Sequence, residues 1–275
     1  MQPACTMTTL LERDGLLTQL DAQWAQACAG TGRLVFVEGE AGIGKTSLMR
    51  AFAQSLQGDA RVAWGGCEAL LTPRPLGALD DIADQCGGAL QAALQSGAER
   101  HRLFVAFIDA LAERPTLAVI EDLHWADEAT LDLLRYAGRR IARTRSLLVA
   151  SFRSDELVPT HPLRAVLGDL ATSGALRVAP APLSLDAVRA LSEGLDLDVT
   201  ELHHKTGGNP FFVTEVLASH SPGVPATVQD AVLARAARLA PSARAVLDAA
   251  AVAGPRVEPW LLQELTAAES DAIDE

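Results

Sequence analysis

Lys45 and Thr46 close the run Gly39-Glu40-Ala41-Gly42-Ile43-Gly44-Lys45-Thr46, whose residue types suit the cradling of a polyphosphate. Its glycines free the backbone to wrap an anion with N–H groups turned inward. Lys45 can reach a β- or γ-phosphate, and the Thr46 hydroxyl suits a magnesium ligand. The candidate phosphate-binding residues are therefore Gly39, Ala41, Gly42, Ile43, Gly44, Lys45, Thr46 and Ser47. A second acidic element is needed at the exposed end of a buried strand. Glu121-Asp122 fits, because it follows the continuously apolar Leu117-Ala-Val-Ile120. One carboxylate can hold magnesium through water while its neighbour orients or deprotonates an attacking water. By order, Glu121 is assigned to magnesium together with Thr46, and Asp122 to the water. The sequence leaves that division open, and an acidic capping pair beyond a strand is the alternative. Arg153 completes the candidate catalytic set of Lys45, Glu121, Asp122 and Arg153. It lies just past an apolar run ending at Phe152, where a guanidinium can read a γ-phosphate. An ion pair with Asp155 or Glu156 is the competing reading.

These groups meet only if the elements around them are of the right kind. Arg33-Leu-Val-Phe-Val-Glu38 is suited to a buried parallel strand, and Leu48, Phe52 and Leu56 recur as on a helix with one buried face. Strand, glycine loop and helix is the order the chemistry requires. Further strands are expected at Arg61–Gly65, Thr116–Asp122, Ser146–Phe152 and Ala175–Ala179. Helices are expected at Leu10–Cys28, Pro75–Leu94 (weakened by Gly87-Gly88), Glu99–Glu113 and after an N-cap at Asp127. Alternating strands and helices predict an α/β fold, a three-layer α/β/α arrangement with a five-stranded parallel sheet covered on both faces. Beyond Pro180 and Pro182 only helical patterns continue, over Asp186–His204 and Phe211–Ser219, parted by Gly207-Gly208-Asn209-Pro210. Ser221–Pro225 reads as a second linker, Trp260 begins another helical pattern, and the chain is expected to stop inside a domain.

The formal charge of −12 argues against a large nucleic-acid-binding face. Cys5, Cys28, Cys67 and Cys86 lack metal or redox spacing and read as reduced, mostly buried thiols of a cytoplasmic protein. Neither a signal peptide nor a membrane-crossing apolar run is visible, so no membrane partner is expected. His203-His204 lacks the further ligands a metal site needs. The arginines from Arg135 to Arg145 read as a solvated helix end, with an arginine finger toward a neighbouring subunit as the alternative. Trp125 reads as packing rather than a base-stacking platform.

Together the motifs resemble the signal-transduction ATPases with numerous domains, the STAND class of AAA+-related P-loop NTPases. They are most similar to the ATPase region of large LuxR-type bacterial transcriptional regulators, a region also fused to some adenylyl cyclases and protein kinases. The matching stretches are Leu10-Leu-Glu-Arg-Asp14, Glu38–Thr46, Val119-Ile-Glu-Asp-Leu-His-Trp-Ala-Asp127, Phe152-Arg-Ser-Asp155 and Thr206-Gly-Gly-Asn-Pro-Phe-Phe212. The resemblance implies an ATPase core over 1–179, a small helical lid over 180–221, and a truncated winged-helix-like domain over 222–275. It also implies ATP or ADP with Mg2+ as cofactors, Arg153 as a sensor arginine, Pro210 near the adenine, and Leu10, Leu11 and Arg13 on the adenine side. Two departures stand out: Glu12-Arg13-Asp14 where many relatives have Gly-Arg-Glu, and Glu121 where the first acid is more usually Asp.

The activity expected from this resemblance is a slow, regulatory ATPase, closed with ADP and open with ATP and an inducer. ATP-dependent self-association would follow opening, with DNA reached only through a further C-terminal domain. A cycling ATPase that remodels a partner, or a P-loop small-molecule kinase, are the alternatives; the long helical C-terminal half fits the kinase poorly.

Overall fold

The computed structural model describes residues 10–56, 60–70, 72, 74–219, 226–237, 239–253, 260–261 and 266. The chain divides into two compact units, Met1–Phe211 and Phe212–Glu275. The first is built on five strands, β1 (Arg33–Glu38), β2 (Arg61–Gly66), β3 (Thr116–Glu121), β4 (Leu147–Phe152) and β5 (Leu176–Val178). All pair in parallel, in the spatial order β2-β3-β4-β1-β5.

Side chains alternate across a strand, and here the alternation sorts the core into two layers. Leu34, Phe36, Ala118, Ile120, Leu148, Ala150 and Phe152 face one cluster. It is packed by α3 (Gly77–Cys86), α4 (Gly88–Gln95), α5 (Arg100–Glu113), α6 (Glu128–Gly138) and α7 (Pro162–Leu170). Val35, Val37, Leu117, Val119, Leu147 and Val149 face the other, against α1 (Asp14–Cys28) and α2 (Lys45–Ser55). Strands apolar at every position are what a sheet covered on both faces demands. Phe36 and Phe152, on adjacent strands, meet edge to face at 6.3 Å between ring centroids.

The strand order fixes where a ligand can sit. From β1 the chain crosses toward the β2 edge, whereas from β4 it passes over β1 to the β5 edge. The connections leaving β1 and β4 therefore diverge, and a crevice opens beyond their C-terminal ends. Glu38 and Phe152 are register partners at that point, so Gly39 and Arg153 both start at the crevice.

Several expectations are corrected. The helix anticipated from Leu10 starts at Asp14, and the one over Pro75–Leu94 is two helices broken at Gly87, where φ is +66°. The helix expected over Asp186–His204 is also two, α8 (Leu185–Leu191) and α9 (Val199–Thr206). Gly194 turns the chain at φ +82° between them, and Asp198 caps the second by accepting from Thr200 and Glu201 N–H groups. α10 (Pro210–Ser219) begins at the proline, and the boundary between the two compact units falls inside it. Cys28, Cys67 and Cys86 are half-buried rather than deep in the core; Cys5 and the Ser221–Pro225 linker lie outside the described residues.

In the second unit α11 (Ala226–Ala236) and α12 (Pro241–Ala253) are helical. Among the described residues no helix is long and apolar enough to cross a membrane.

Candidate nucleotide-binding site

Gly42 and Gly44 adopt φ of +79° and +97°, a region that side chains other than glycine's seldom tolerate. Gly44 caps α2, so the loop delivers its chain into a helix N-terminus, where backbone N–H groups lack helical partners. Lys45 follows at once and is buried, its Nζ donating to the carbonyls of Gly39 at 2.7 Å and Glu40 at 2.8 Å. The ammonium thus lies across the loop it belongs to. Burial lowers its pKa, and Arg153 adds to that, while Asp122, Asp155 and Glu156 pull the other way.

One residue into α2, Thr46 Oγ1 donates to Glu121 Oε1 at 2.5 Å. The other oxygen of Glu121 accepts from the Trp64 indole N–H at 2.6 Å. Trp64 lies on β2, which pairs with β3 so that Gly66 stands opposite Glu121. Both carboxylate oxygens are thereby oriented, one by the loop helix and one by the neighbouring strand. Asp122 leaves β3 in the left-handed region at φ +56°, its N–H donating to Ser151 Oγ at 3.2 Å. Burial raises the Asp122 pKa; Glu121 and Glu156 push it further up, against Arg153 and Lys45.

Arg153 pairs with Glu156, Nη1 to Oε1 at 2.5 Å, and its guanidinium lies 4.9 Å from the centre of the Trp125 ring. The competing ion-pair reading of this arginine is therefore part of its geometry. Its backbone N–H donates to Nδ1 of the buried His124 at 3.4 Å. Asp127 is a helix cap, accepting from the N–H groups of Ala129 and Thr130 and from Leu76. In the arginine run, Arg135 pairs with Asp169, Arg140 lies over the Tyr136 ring and Arg145 donates to the Cys28 carbonyl. His203 Nε2 donates to the Leu183 carbonyl at 3.1 Å, while His204 is exposed.

The loop is braced from behind. Arg13, 2% exposed, donates from Nη2 to the carbonyls of Ala181 at 2.6 Å and Ile43 at 3.4 Å. Glu12 accepts from the Ser184 N–H and hydroxyl. Asn209 Nδ2 donates to Ala41 O at 3.0 Å, and the Phe211 N–H to Gly42 O at 3.2 Å. Leu10 and Leu11 are half-buried just ahead of α1, Ser47 is exposed on α2, and Pro210 is the first residue of α10. A Cβ on Gly42 would stand 2.6 Å from Phe211 Cβ and 2.9 Å from Asn209 Oδ1. Gly42→Ala is therefore expected to lower stability by about 2 kcal/mol, from left-handed strain and overpacking combined. Urea unfolding measures it; a loss within error of zero would mean this brace does not hold the loop.

Trp64, His124 and Asn209 are not singled out as site residues by the sequence, and Glu156 only as a competing ion-pair partner of Arg153. The Gly-Gly-Asn-Pro signal centres on Pro210, and the neighbouring Asn209 hydrogen-bonds the phosphate loop through its side chain.

A glycine loop between a parallel strand and a helix, at the switch point of a five-stranded sheet, with an acid pair on a nearby strand, defines a P-loop NTPase fold. More narrowly, the chain belongs to the AAA ATPase domain family, whose model matches residues 9–150. It is 27% identical over 315 residues to an uncharacterized protein of Rhizobium meliloti (strain 1021), a match covering 93% of this chain and 31% of that one. The chain thus spans about a third of that relative.

Among solved structures it is similar to the Aeropyrum pernix ORC2 protein in ADPNP–ADP complexes, with TM-score 0.59, 15% identity, and coverage of 93% and 79%. The Walker-type ATPase of Pyrococcus abyssi gives 0.55, 13%, 93% and 89%. A signal transduction ATPase with numerous domains and a tetratricopeptide repeat sensor, from Pyrococcus horikoshii, gives 0.52, 17%, 94% and 37%. At such identities these likenesses establish the fold.

Proposed function

We propose that the chain is the nucleotide-gated module of a larger regulator of the LuxR type, binding ATP or ADP with Mg2+ and hydrolysing ATP slowly. The observation that carries this reading is the 2.5 Å contact between Thr46 Oγ1 and Glu121 Oε1. It joins the phosphate loop to the acid strand through a hydroxyl and a carboxylate, the oxygen donors that a hard divalent cation takes. These residues fit magnesium, which when bound would neutralise charge on the phosphate oxygens. In this reading Thr46 and Glu121 hold the ion, and Lys45 binds the β- and γ-phosphates. Asp122 orients the attacking water and accepts its proton, and Arg153 reads the γ-phosphate. Leu10, Leu11, Arg13 and Pro210 form the base side.

Domain boundaries at 179 and 221 go with this proposal, as a core, a helical lid and a winged-helix-like domain. Nucleotide then biases a two-state arrangement, closed with ADP and open with ATP, because only ATP offers the γ-phosphate contacts. Coverage of only 31% and 37% of two longer similar proteins supports a module within a larger chain. DNA contact, response to an inducer, ATP-dependent self-association and a cytoplasmic location belong to that larger protein.

The nucleotide released by denaturing the freshly purified protein tests the latch. Near-stoichiometric ADP is expected; an empty protein that turns over added ATP rapidly would overturn the switch in favour of a cycling ATPase. Trp64→Phe removes the indole donor while keeping an aromatic ring. Outer partners of metal ligands matter by about 10- to 100-fold, so the magnesium needed for half-maximal hydrolysis should rise about tenfold. An unchanged magnesium titration would show that Trp64 does not orient Glu121 for the ion.

A further inference from the structure

Arg153 is held, and the group that holds it is poorly explained by a surface ion pair. Glu156 and Arg153 are both largely shielded, with side-chain exposures of 22% and 21%, and they meet at 2.5 Å. The second oxygen of Glu156 faces Nε2 of His124 at 3.7 Å. His124 Nδ1 accepts the Arg153 N–H, so the ring proton of the neutral imidazole resides on Nε2, on the side of that carboxylate but beyond hydrogen-bond reach of it. Burial lowers the His124 pKa to about 4, which keeps the ring neutral at physiological pH.

The surrounding loop is fixed as well. His161 Nε2 donates to the His124 carbonyl at 3.1 Å, while His161 Nδ1 caps α7. Arg164 donates to the carbonyls of Leu157 and Val158. Glu156 is thus a carboxylate placed by structure, not one that happens to reach an arginine. Arg153 leaves β4 directly after Phe152, the register partner of Glu38, so the pair starts at the same strand ends as the phosphate loop.

We infer that Glu156 is an internal stand-in for the γ-phosphate, a positioning residue that occupies Arg153 until ATP displaces it and so sets the preference between ATP and ADP. This deepens, and rests on, the nucleotide site proposed above. A guanidinium bonded to one carboxylate oxygen presents the same donors to a phosphate oxygen. A γ-phosphate carries more negative charge than a carboxylate, so the exchange runs forward with ATP. ADP brings nothing to Arg153, and the pair stays closed. The affinity gap between the two nucleotides is then smaller than Arg153 alone would give, because ATP must first break the pair.

The test measures Kd for ATP and for ADP, with Mg2+, in the wild type, Glu156→Gln, Arg153→Gln and the double variant. Glu156→Gln is expected to raise the preference for ATP over ADP about tenfold, the worth of one charge-assisted hydrogen bond. Most of that gain should vanish in the Arg153→Gln background. The ratio divides out any general loss of folded protein. Should Glu156→Gln not fold, Glu156→Asp keeps the charge but shortens its reach, and the same rise is expected. An unchanged or reduced ratio overturns the inference. A gain that persists without Arg153 overturns it too, since Glu156 would then merely repel phosphate. If the wild type binds neither nucleotide, the site reading fails and the gate with it; if both bind and the ratio does not move, only the gate fails.

Discussion

Lys45→Ala should weaken ATP and ADP binding by at least about 100-fold while leaving the nucleotide-free protein nearly as stable as before. The binding loss follows from charge: an ammonium donating to phosphate oxygens contributes about 1.5–3 kcal/mol for each charge-assisted bond, and it can reach two phosphates. The small stability change follows from what Lys45 does without ligand. Among the described residues its Nζ donates only to the carbonyls of Gly39 and Glu40, and its charge is disfavoured by burial. Removing a cation that the fold holds reluctantly offsets much of the two lost hydrogen bonds. A nucleotide at 100 times its Kd stabilises the wild type by about 2.7 kcal/mol, a gain the variant should not show at the same concentration. Thermal unfolding with and without Mg-ATP reads both halves at once. A variant still stabilised by nucleotide would mean that the glycine loop is not the site; one already unfolded without it would mean that Lys45 is a structural residue.

Legibility in the sequence followed the range of the interaction. β1 was expected at Arg33–Glu38 and lies there, because a short apolar run bounded by polar residues is a local signal that a doubly covered sheet preserves. The same holds for β3 and β4, and so for the positions of Glu121, Asp122 and Arg153 at strand ends. Asp127 was readable as a cap because capping spans only a few residues. The break within Asp186–His204 is not visible in the periodicity: Gly194 and Asp198 carry it, but a continuous helical period masks them.

What was invisible depends on strand order. Trp64 orients Glu121 only because β2 is the neighbour of β3, and no local pattern states which parallel strands pair. His124 and Glu156 meet because β4 lies between β3 and β1, bringing two loop segments together. Asn209 reaches Ala41 across 168 residues of sequence. Residue types could nominate the groups that touch phosphate, but not those that hold them in place.

Asp122→Asn should separate chemistry from binding more cleanly than any other substitution at this site. The backbone of Asp122 is left-handed at φ +56°, a conformation that asparagine tolerates as well as aspartate does, so the turn out of β3 should survive. The amide keeps the shape and loses the basic oxygen. Among the described residues the Asp122 side chain makes no hydrogen bond, and His124 Nδ1, on a neutral ring, stands 4.0 Å from its Oδ1. Glu121, by contrast, has both oxygens engaged by Thr46 and Trp64. A carboxylate that is pinned suits a stationary ion, whereas one left open, with its pKa raised by burial, suits a proton that must be accepted. The expected result is a fall in kcat of about 10²- to 10⁴-fold with the ATP Kd changed less than about threefold. Glu121→Gln should instead raise the magnesium requirement and weaken ATP binding along with turnover. Single-turnover hydrolysis beside equilibrium binding distinguishes the two. If Asp122→Asn loses binding and rate together while Glu121→Gln loses rate alone, the roles of the two acids are the reverse of those assigned, and the engagement of Glu121 by Thr46 does not mark the place of the ion.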